Sequence, residues 1–483
     1  MTEKKDIGIT AKKEEDMPEW YSQVCLKSEL ADYGVTKGTM VIRPNGYAIW
    51  QKIQDYFNEK IVKKTNARNA YFPLFIPESF FKKETEHAKG FTPEVAWIDT
   101  KVTGEGERLA IRPTSETIMY DSYSKWIRSY KDLPLKINQW CNVVRWETQA
   151  TKLFLRSREF LWQEGHCVYE TEKECKEDTI NYIKLYSKLC EELLALPVIV
   201  GMKTEKEKFA GAKTTYTIEA FMPDGKGLQC GTSHELGQGF AKAFKISYLG
   251  KDEKPNTPWQ NSWGISTRLI GALVMTHSDN KGLVLPPNIA ENKIVIIPII
   301  KGNEKEIEKI LKEAEKIKKE LQYFNPILDE RKEYTPGWKY NEWEMKGIPI
   351  RIEIGPKDLE KKSVILVRRD NGEKKSIKTA VLKKEIEKEL NEIQNLLFIK
   401  AKKYLESQIV SAKNMQELIK NISQKKLVKV NFCSQEPCEE NIKEKTGGAS
   451  SRVIPFDSKV SKDAKCIYCG KPAKIEVYFA KSY

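Results

Sequence analysis

The stretch from Asn142 to His166 constrains this chain more than any other part of its sequence. It reads NVVRWETQATKLFLRSREFLWQEGH, so arginines, glutamates and a histidine are mixed with large aromatic side chains. Charged side chains are rarely buried unless they are paired or bind a ligand, so a segment meant only for a core would not have this composition. The pattern predicts two strands joined by a loop, Val143–Glu147 and Phe160–Val168.

The second predicted strand carries the functional side of this segment. Alternate side chains of a strand point to the same face, so one face collects two aromatic and two polar groups. These four residues are Phe160, Trp162, Glu164 and His166. Such a face is suited to a ligand with a flat ring, a phosphate and a small charged group, and we expect a binding pocket there.

Length and composition indicate a soluble multidomain protein. At 483 residues the chain is long enough for two to four domains, and its longest apolar run, Ile294–Ile300, is too short to span a bilayer. The N-terminus lacks the apolar core of a secretory signal, so we expect a cytoplasmic location. The formal charge of +14 suits a polyanion such as nucleic acid, but it is equally consistent with a Lys- and Glu-rich composition that has no special partner.

The order of predicted elements divides the chain into three domains. The first covers residues 1–288, of which 1–17 form a charged, frayed tail, and the two prolines in Leu283–Asn288 mark its end because they hold the chain extended. The second covers 289–400. The third, 401–483, follows a helical connection.

The second domain has a clear strand and helix alternation, which predicts a small α/β fold. A buried strand over Lys293–Ile300 precedes Glu304–Leu321, whose apolar residues fall on one helical stripe. Pro349–Ile354 and Ser363–Arg369 are predicted strands, and Asp370-Asn371-Gly372 is predicted to form a hairpin turn.

Four of the ten cysteines form two closely spaced pairs near the C-terminus. Cys433 and Cys438 are separated by four residues, Cys466 and Cys469 by two, and Gly470 follows. Two such pairs can close a tetrahedral Zn²⁺ site, and with no histidine or fifth ligand nearby the site would be structural. Bound zinc would stabilise a domain too small to have its own core; four reduced core cysteines are the alternative.

Several segments resemble the motifs of class II aminoacyl-tRNA synthetases. Arg145-Trp146-Glu147 followed by Arg156 to Phe160 is similar to their second motif, and SWGISTR at Ser262–Arg268 is similar to the third. The first motif is represented more loosely by Asn69–Pro77. The segments that resemble the prolyl-tRNA synthetases in particular are RPTSET at 112–117, FLWQEGH at 160–166 and GTSHELGQ at 231–238.

This resemblance implies a fold and a reaction. The fold would be α/β (α+β): a class II antiparallel-sheet catalytic domain, an α/β anticodon-binding domain and a small α+β zinc-binding C-terminal domain. The enzyme would activate L-proline with ATP to prolyl-adenylate and pyrophosphate, then transfer proline to the 3′ end of tRNA(Pro). Mg²⁺ would accompany ATP, with ligands that the sequence does not identify, and the enzyme would be a cytoplasmic homodimer that does not contact membranes.

The resemblance also implies an ATP site. Its positions in this sequence are Arg145, Glu147, Arg156, Phe160, Gln229, Thr232 and Arg268. Arg145 and Arg268 would be the catalytic residues. Arg145 would hold the proline carboxylate beside the α-phosphate, because a guanidinium pairs bidentately with such anions. Adenine would lie between Phe160 and Arg268. Glu147 would accept from its amino group, and Arg156 would bind the outer phosphates.

The implied proline site overlaps the ATP site. Its positions are Thr114, Glu116, Arg145, Trp162, Glu164, His166, Phe209, His234 and Ser266. Thr114 and Glu116 would contact the imino nitrogen, while Trp162, His166 and Phe209 would enclose the ring.

The implied tRNA contacts lie in the second domain. Glu344 and Lys357 match the positions at which the family reads guanines of the proline anticodon, and Arg351 or Arg369 would hold phosphate. A solvated charged face is the alternative for these residues. In the family pattern the C-terminal tyrosine, here Tyr483, points back toward the active site.

Two other functions are consistent with these motifs. One is a synthetase-derived protein that binds tRNA without catalysis, and the other is a class IIa enzyme for a different amino acid. No class I nucleotide motif occurs, and the interval from His166 to Arg268 is too short for an inserted editing domain. We therefore expect no proofreading of alanyl-tRNA. Cysteine would be activated to some extent, because a missing methylene discriminates by only about 1–3 kcal/mol.

Overall fold

A computed structural model describes residues 8–85, 94–104, 106–147, 150–300 and 303–483. Within these ranges no helix combines the length and the apolar character that crossing a membrane requires.

The first domain is a large sheet covered by helices. Its helices are α1 (Met17–Lys27), α2 (Pro44–Phe57), α3 (Lys63–Thr65), α4 (Glu78–Thr85), α5 (Thr100–Thr103), α6 (Glu116–Trp126), α7 (Glu172–Glu192), α8 (Gly239–Ala243) and α9 (Arg268–His277). Its strands are β1 (Ala31–Tyr33), β2 (Met40–Ile42), β3 (Arg68–Asn69), β4 (Phe75–Pro77), β5 (Trp97–Ile98), β6 (Leu109–Ile111), β7 (Leu135–Val144), β8 (Glu159–Tyr169), β9 (Ile199–Met202), β10 (Thr214–Phe221), β11 (Lys226–Gly237), β12 (Tyr248–Leu249), β13 (Pro255–Asn256) and β14 (Trp259–Ser266).

The central sheet has the order β9-β10-β11-β14-β8-β7-β3 and is antiparallel except at the short β3–β7 pair. Helices α7 and α9 pack on one face, where Tyr182 of α7 stacks on Trp263 of β14 with ring centroids 3.9 Å apart. Gly165 of β8 lies directly under this tryptophan, and a Cβ there would come within 2.2 Å of the indole. The close packing of that face leaves the alternate residues of β8, Glu164 and His166, on the open side.

The predicted strand pair is present, but its first strand is shifted. β8 (Glu159–Tyr169) agrees with the prediction, whereas β7 ends at Val144 and extends back to Leu135. Arg145 leaves the sheet at the start of the loop, and its N–H is bonded to the carbonyl of Arg158 at 2.8 Å. The segment 145–147 is therefore part of the loop, so its side chains do not follow the alternation of a strand.

The second domain confirms the predicted α/β alternation. Its helices are α10 (Glu304–Glu320), α11 (Pro336–Met345), α12 (Pro356–Glu360) and α13 (Leu382–Gln408), and its strands are β15 (Ile294–Pro298), β16 (Ile327–Leu328), β17 (Ile350–Ile354), β18 (Ser363–Arg368) and β19 (Lys374–Lys378). The sheet order is β16-β15-β17-β18-β19, and Gly372 takes the positive φ of +76° that the β18–β19 turn requires. The α10 stripe is buried at Ile310, Ala314 and Ile317.

The third domain is joined to the first by a continuous sheet. It consists of α14 (Met415–Ser423), α15 (Glu436–Lys445), β20 (Ile409–Ser411), β21 (Leu427–Phe432), β22 (Ser450–Pro455) and β23 (Ile475–Ser482). β22 pairs with β9, and β23 pairs with β11. The expectation that this domain lacks a core is wrong, because Leu418, Val428, Phe432, Val477 and Phe479 form a buried apolar cluster.

The predicted frayed tail is ordered where the structure describes it. Residues 1–7 lie outside the described residues. Lys13 donates its Nζ to the carbonyls of Met275 and Ser278 at 2.8 and 2.9 Å, and Ile9 packs against the main core. A charged segment is held here because its lysine satisfies carbonyls that the end of α9 leaves without helical partners.

Candidate active site

A pocket of about 330 Å³ opens on the uncovered face of the central sheet. The residues predicted from sequence that line it are Thr114, Glu116, Arg145, Phe160, Trp162, Glu164, His166, Phe209, Gln229, Thr232, His234, Ser266 and Arg268. The prediction that alternate residues of β8 form one wall is confirmed. Glu147 and Arg156 are not part of the lining.

The carboxylate of Glu164 organises the polar floor of the pocket. It accepts hydrogen bonds from Thr114 Oγ1 at 3.0 Å, from the Ser115 backbone N–H at 3.0 Å and from Gln139 Nε2 at 3.1 Å, and His166 Nε2 lies 3.2 Å away. Burial by itself raises the pKa of this carboxyl. The contacts with His166 and then with Ser115 outweigh it and lower the pKa of Glu164 to about 2. Glu164 is therefore ionised at neutral pH.

His166 is fixed from its other ring nitrogen by α6. Its Nδ1 lies 3.1 Å from the Tyr120 hydroxyl and 3.9 Å from a carboxylate oxygen of Glu116. Glu116 and Tyr120 are one helical turn apart, so the first turn of α6 presents both groups to the same imidazole. With both nitrogens engaged, the ring cannot rotate freely.

His234 forms an uncharged part of the pocket wall. Its Nδ1 lies 3.0 Å from the Thr215 hydroxyl, and its ring is 4.8 Å from that of Phe209. Burial, followed by the charge of His166, lowers the pKa of His234 to about 3. The Phe209–His234 pair is therefore neutral and largely apolar at physiological pH.

Arg145 lines the pocket beside two aromatic rings. Its guanidinium carbon lies 5.3 Å from the Trp162 ring and 5.7 Å from the Phe160 ring, and its Nε donates to the Pro113 carbonyl at 3.3 Å. Burial lowers the pKa of Arg145 and nearby glutamates oppose this, but an arginine stays charged. Among the described residues no carboxylate forms an ion pair with Arg145, which leaves its charge available to a ligand.

Arg268 also lines the pocket and is held by backbone carbonyls. It is the first residue of α9 and donates Nε to Leu155 at 3.2 Å and Nη1 to Gln229 at 3.3 Å. The backbone N–H of Arg268 donates to Ser266 Oγ at 3.2 Å. These contacts fix the plane of the guanidinium.

Glu147 and Arg156 pair with each other at the outer edge of this region. Arg156 donates Nε and Nη2 to Glu147 Oε2 at 2.8 and 2.6 Å, and both side chains are partly exposed. The structure thus places the two side chains predicted for adenine and the outer phosphates in one surface ion pair.

Several residues that support the pocket were not predicted from the sequence. Gln139 is fully buried and binds Glu164, Tyr120 binds His166, and Thr215 binds His234. Glu207 also lines the pocket. Only Tyr120 had a local signal, its i, i+4 spacing from Glu116.

The four C-terminal cysteines come together as predicted. Their sulfurs all lie within 4.8 Å of one another, and those of Cys433 and Cys469 are 3.8 Å apart. Tetrahedral Zn–S bonds of about 2.3 Å place sulfurs about 3.8 Å apart, so the cluster fits Zn²⁺. Gly470 has a φ of +69°, and the Lys471 backbone N–H is the main cause of a pKa of about 7 for Cys469.

The C-terminal residue reaches the first domain. The Tyr483 hydroxyl donates to Asp224 Oδ2 at 2.7 Å, and its ring lies 5.7 Å from the ammonium of Lys152 in the β7–β8 loop. Burial, reinforced by Asp224, raises the pKa of Tyr483 well above its usual range.

The two residues predicted to read the anticodon flank β17. Glu344, on α11, accepts from Arg351 Nη1 at 3.0 Å, whereas Lys357 is exposed at the start of α12. Arg369 is buried and bonds to Asp279 and to the Glu344 carbonyl. Among the described residues no hydrogen bond or ion pair joins Glu344 to Lys357.

Three family models match consecutive parts of the chain. The class II tRNA synthetase core domain (G, H, P, S and T) matches residues 99–277, an anticodon-binding domain matches 293–389, and a prolyl-tRNA synthetase C-terminal domain matches 415–483. Their order is that expected from the motifs.

Curated relatives match over the whole length. A proline–tRNA ligase of Natranaerobius thermophilus is 50% identical over 475 residues, covering 97% of each chain. The chain belongs to the prolyl-tRNA synthetase family. A proline–tRNA ligase 2 of Clostridioides difficile is 48% identical and covers 100% of this chain and 99% of its own length.

Solved structures of the prolyl-tRNA synthetase family have the same fold. The enzyme of Cryptosporidium parvum, complexed with L-proline and AMP, superposes with a TM-score of 0.93 at 44% identity, covering 99% of this chain and 97% of that one. The same enzyme complexed with halofuginone and AMPPNP gives the same values. The expected α/β (α+β) fold with an antiparallel-sheet class II domain is thereby confirmed.

Proposed function

We propose that this chain activates L-proline with ATP and transfers it to tRNA(Pro). The observation that carries the proposal is the full-length similarity to a prolyl-tRNA synthetase solved with L-proline and AMP, joined to one pocket that is lined by all the residues expected for proline and by those expected for ATP except Glu147 and Arg156. The proline carboxylate attacks the α-phosphate of ATP and releases pyrophosphate. A ribose hydroxyl at the tRNA 3′ end then attacks the adenylate carbonyl and releases AMP.

Arg145 holds the two reacting anions together in the first step. Its guanidinium forms no ion pair with a carboxylate in the part of the chain that the structure describes, and it is flanked by the Phe160 and Trp162 rings. Its N–H groups bind the carboxylate and the α-phosphate at once and reduce the repulsion between them. No general base is needed, because the nucleophile is already ionised; positioning provides the acceleration.

ATP binds between Phe160 and Arg268, whose fixed guanidinium plane suits stacking on adenine. The remaining ATP contacts are Gln229 and Thr232 to the ribose and phosphate, Glu147 to the adenine amino group and Arg156 to the outer phosphates. Glu147 and Arg156 are paired with each other, so this ion pair has to open before the two side chains bind ATP. An exposed ion pair contributes only about 0–1 kcal/mol, so a triphosphate displaces it readily.

Proline occupies the inner end of the pocket. Thr114 and Glu116 bind the secondary ammonium, and Trp162, His166 and the neutral Phe209–His234 pair enclose the ring. Glu164 positions Thr114 and His166 through the bonds described above, and Ser266 lies at the pocket edge beside Arg268.

We further propose that Cys433, Cys438, Cys466 and Cys469 bind a structural Zn²⁺, on the strength of the sulfur spacing. Zinc would fix the end of the third domain and take no part in the reaction. Mg²⁺ would bind with the ATP phosphates. Glu344 and Lys357 would read the anticodon guanines.

We propose the domain limits 1–288, 289–400 and 401–483, a homodimer and a cytoplasmic location. Support for the dimer comes from large apolar side chains left exposed near the first motif: Tyr71 is 70% and Phe75 is 48% exposed. Since the interval between β8 and α9 is used by β9–β14, α7 and α8, we propose that editing of alanyl-tRNA is absent.

Amino-acid-dependent ATP–pyrophosphate exchange tests the function. The purified protein is assayed with proline and, separately, with cysteine, alanine, threonine, glycine, serine and histidine. We expect strong stimulation by proline, weaker stimulation by cysteine and none by threonine, glycine, serine or histidine. Stimulation by another amino acid in preference to proline would refute the specificity. If no amino acid stimulates exchange, the proposed enzymatic activity is refuted.

A further inference from the structure

An ion pair between the first two domains contacts Glu344, one of the two residues proposed to read the anticodon. Arg369, directly after β18, donates Nη1 and Nη2 to the two carboxylate oxygens of Asp279 at 2.8 and 2.7 Å. The same guanidinium donates Nε to the backbone carbonyl of Glu344 at 2.7 Å. The Arg369 side chain is 4% exposed. One buried arginine therefore joins a carboxylate of the first domain to the backbone of Glu344.

The side chain of Glu344 is also contacted from both domains. Arg351 of β17 donates to one carboxylate oxygen at 3.0 Å, and the ammonium of Lys281, from the first domain, lies 3.6 Å from the other. The backbones of the two domains approach closely just after Lys281. A Cβ on Gly282 would come within 2.7 Å of the Met345 backbone. The domains are thus in firm contact at the residue that follows Glu344.

This contact lies at the end of α9, the helix whose first residue is Arg268. Asp279 follows the last helical residue, His277, by two positions. Burial raises the pKa of Asp279, but the hydrogen bonds and charge of Arg369 lower it below its ordinary value, so the carboxylate is ionised. The pair is bidentate and charge-assisted, which gives it a defined geometry as well as energy.

We propose that Asp279 is a positioning residue for anticodon recognition: it holds Arg369, and through it the backbone of Glu344, where the Glu344 carboxylate meets an anticodon guanine. This inference rests on the proposed function of Glu344. A guanine presents N1–H and N2–H to a carboxylate at hydrogen-bond distance, so a small displacement of Glu344 breaks both contacts. Asp279 itself does not touch the tRNA.

The chain offers a matched control for this pair. Glu29 of the first domain forms an ion pair with Lys346 of the second at 3.3 Å, and its side chain is 40% exposed, close to the 45% of Asp279. Glu29 has no contact with Glu344 or Arg369 among the interactions of the described residues. Glu29→Gln therefore removes a similar ion pair between the same two domains without changing a contact of Glu344.

The test compares Asp279→Asn, Asp279→Glu and Glu29→Gln in the full-length protein. Proline-dependent ATP–pyrophosphate exchange without tRNA measures activation alone. Charging of tRNA(Pro), and of a transcript in which an anticodon guanine is replaced by adenine, measures recognition. For Asp279→Asn we expect exchange within about 2-fold of the unaltered protein and a fall of about 10-fold in kcat/KM for tRNA(Pro), the size expected for one lost charged contact.

Discrimination between the two transcripts is the decisive measurement. In Asp279→Asn the preference for the guanine transcript should fall by about 10-fold, because the altered transcript never used the Glu344 contact. Asp279→Glu, which keeps the charge, should recover most of the loss, and Glu29→Gln should leave the preference unchanged. Arg369→Lys keeps the charge without the fork and should reproduce Asp279→Asn, which covers the case in which the asparagine variant fails to fold.

Three results would overturn the proposal: an unchanged preference in Asp279→Asn and Arg369→Lys, an equal loss of preference in Glu29→Gln, or a parallel fall in tRNA-independent exchange. Failure of the proposed function is distinguishable, because the unaltered protein would then show no proline-stimulated exchange. Normal exchange and charging with no change in discrimination would refute the positioning role of Asp279 and leave the proposed ligase activity standing.

Discussion

Replacing Glu164 by glutamine removes the charge from the floor of the candidate pocket. The carboxylate accepts from Thr114, Ser115 and Gln139, and the glutamine would turn an amide N–H₂ toward at least one of these donors. The pKa of Glu164 is lowered from 4.5 to about 2, and a difference of that size corresponds to about 3 kcal/mol. Glu164 is 2% exposed, so solvent screens its electrostatic interactions only weakly.

The pH dependence of the effect follows from the direction of the shift. Because the pKa is depressed in the folded state, the stabilisation is complete above the unfolded pKa of 4.5 and is lost as the pH falls from there toward about 2. We expect Glu164→Gln to lower the free energy of unfolding by about 3 kcal/mol at pH 7. The difference from the unaltered protein should shrink steadily below about pH 5.

Urea denaturation followed by tryptophan fluorescence at pH 7 and at pH 3.5 measures this difference, together with KM for proline at pH 7. The control is Glu159→Gln, since Glu159 lies on the same strand but is exposed, and within the described hydrogen-bond network its carboxylate bonds only to Asn142. It should change stability by less than about 0.5 kcal/mol. A pH-independent loss in Glu164→Gln, or one that grows on acidification, would refute the reasoning.

Two further predictions concern the third domain. Cys466→Ser should abolish zinc binding, measured as metal content of the purified protein, and lower the melting temperature; full zinc occupancy in this variant would contradict the proposed site. Arg452→Met should destabilise the protein by about 3–5 kcal/mol in urea, because Glu219, buried and bonded to both Arg452 and Lys203 at 2.9 and 2.7 Å, would lose one of two cations. A loss below about 1 kcal/mol would show that Lys203 alone satisfies that carboxylate.

The main pocket wall could be predicted from the sequence because its signal is local. Period-two alternation along β8 places Trp162 and His166 together without any knowledge of the fold. The class II motifs then added residues from distant segments, such as Arg268, because each motif is itself a short local pattern.

The supporting residues could not be predicted, because their partners are set by strand register. Gln139 lies directly opposite Glu164 in the β7–β8 pair, and Thr215 directly opposite His234 in the β10–β11 pair. A single glutamine or threonine on a strand gives no indication of its cross-strand neighbour, and a shift of one residue would turn it to the other face.

The joining of the third domain to the central sheet was likewise not visible. The prediction treated that domain as a small unit dependent on zinc, whereas β22 and β23 extend the sheet of the first domain. The buried Arg452 that accompanies this junction is indistinguishable in sequence from a surface arginine. Long-range pairing of this kind depends on the whole fold and not on local composition.

The proposed role of Arg145 is to bind the proline carboxylate and the α-phosphate of ATP together. Proline-dependent ATP–pyrophosphate exchange by Arg145→Lys, with the exposed Arg128→Lys as control, measures it directly once circular dichroism confirms that both variants fold. We predict that the rate of exchange falls by at least about 100-fold in Arg145→Lys and stays unchanged in the control, because a lysine cannot form both contacts at once. Exchange by Arg145→Lys at the rate of the unaltered protein would contradict the account.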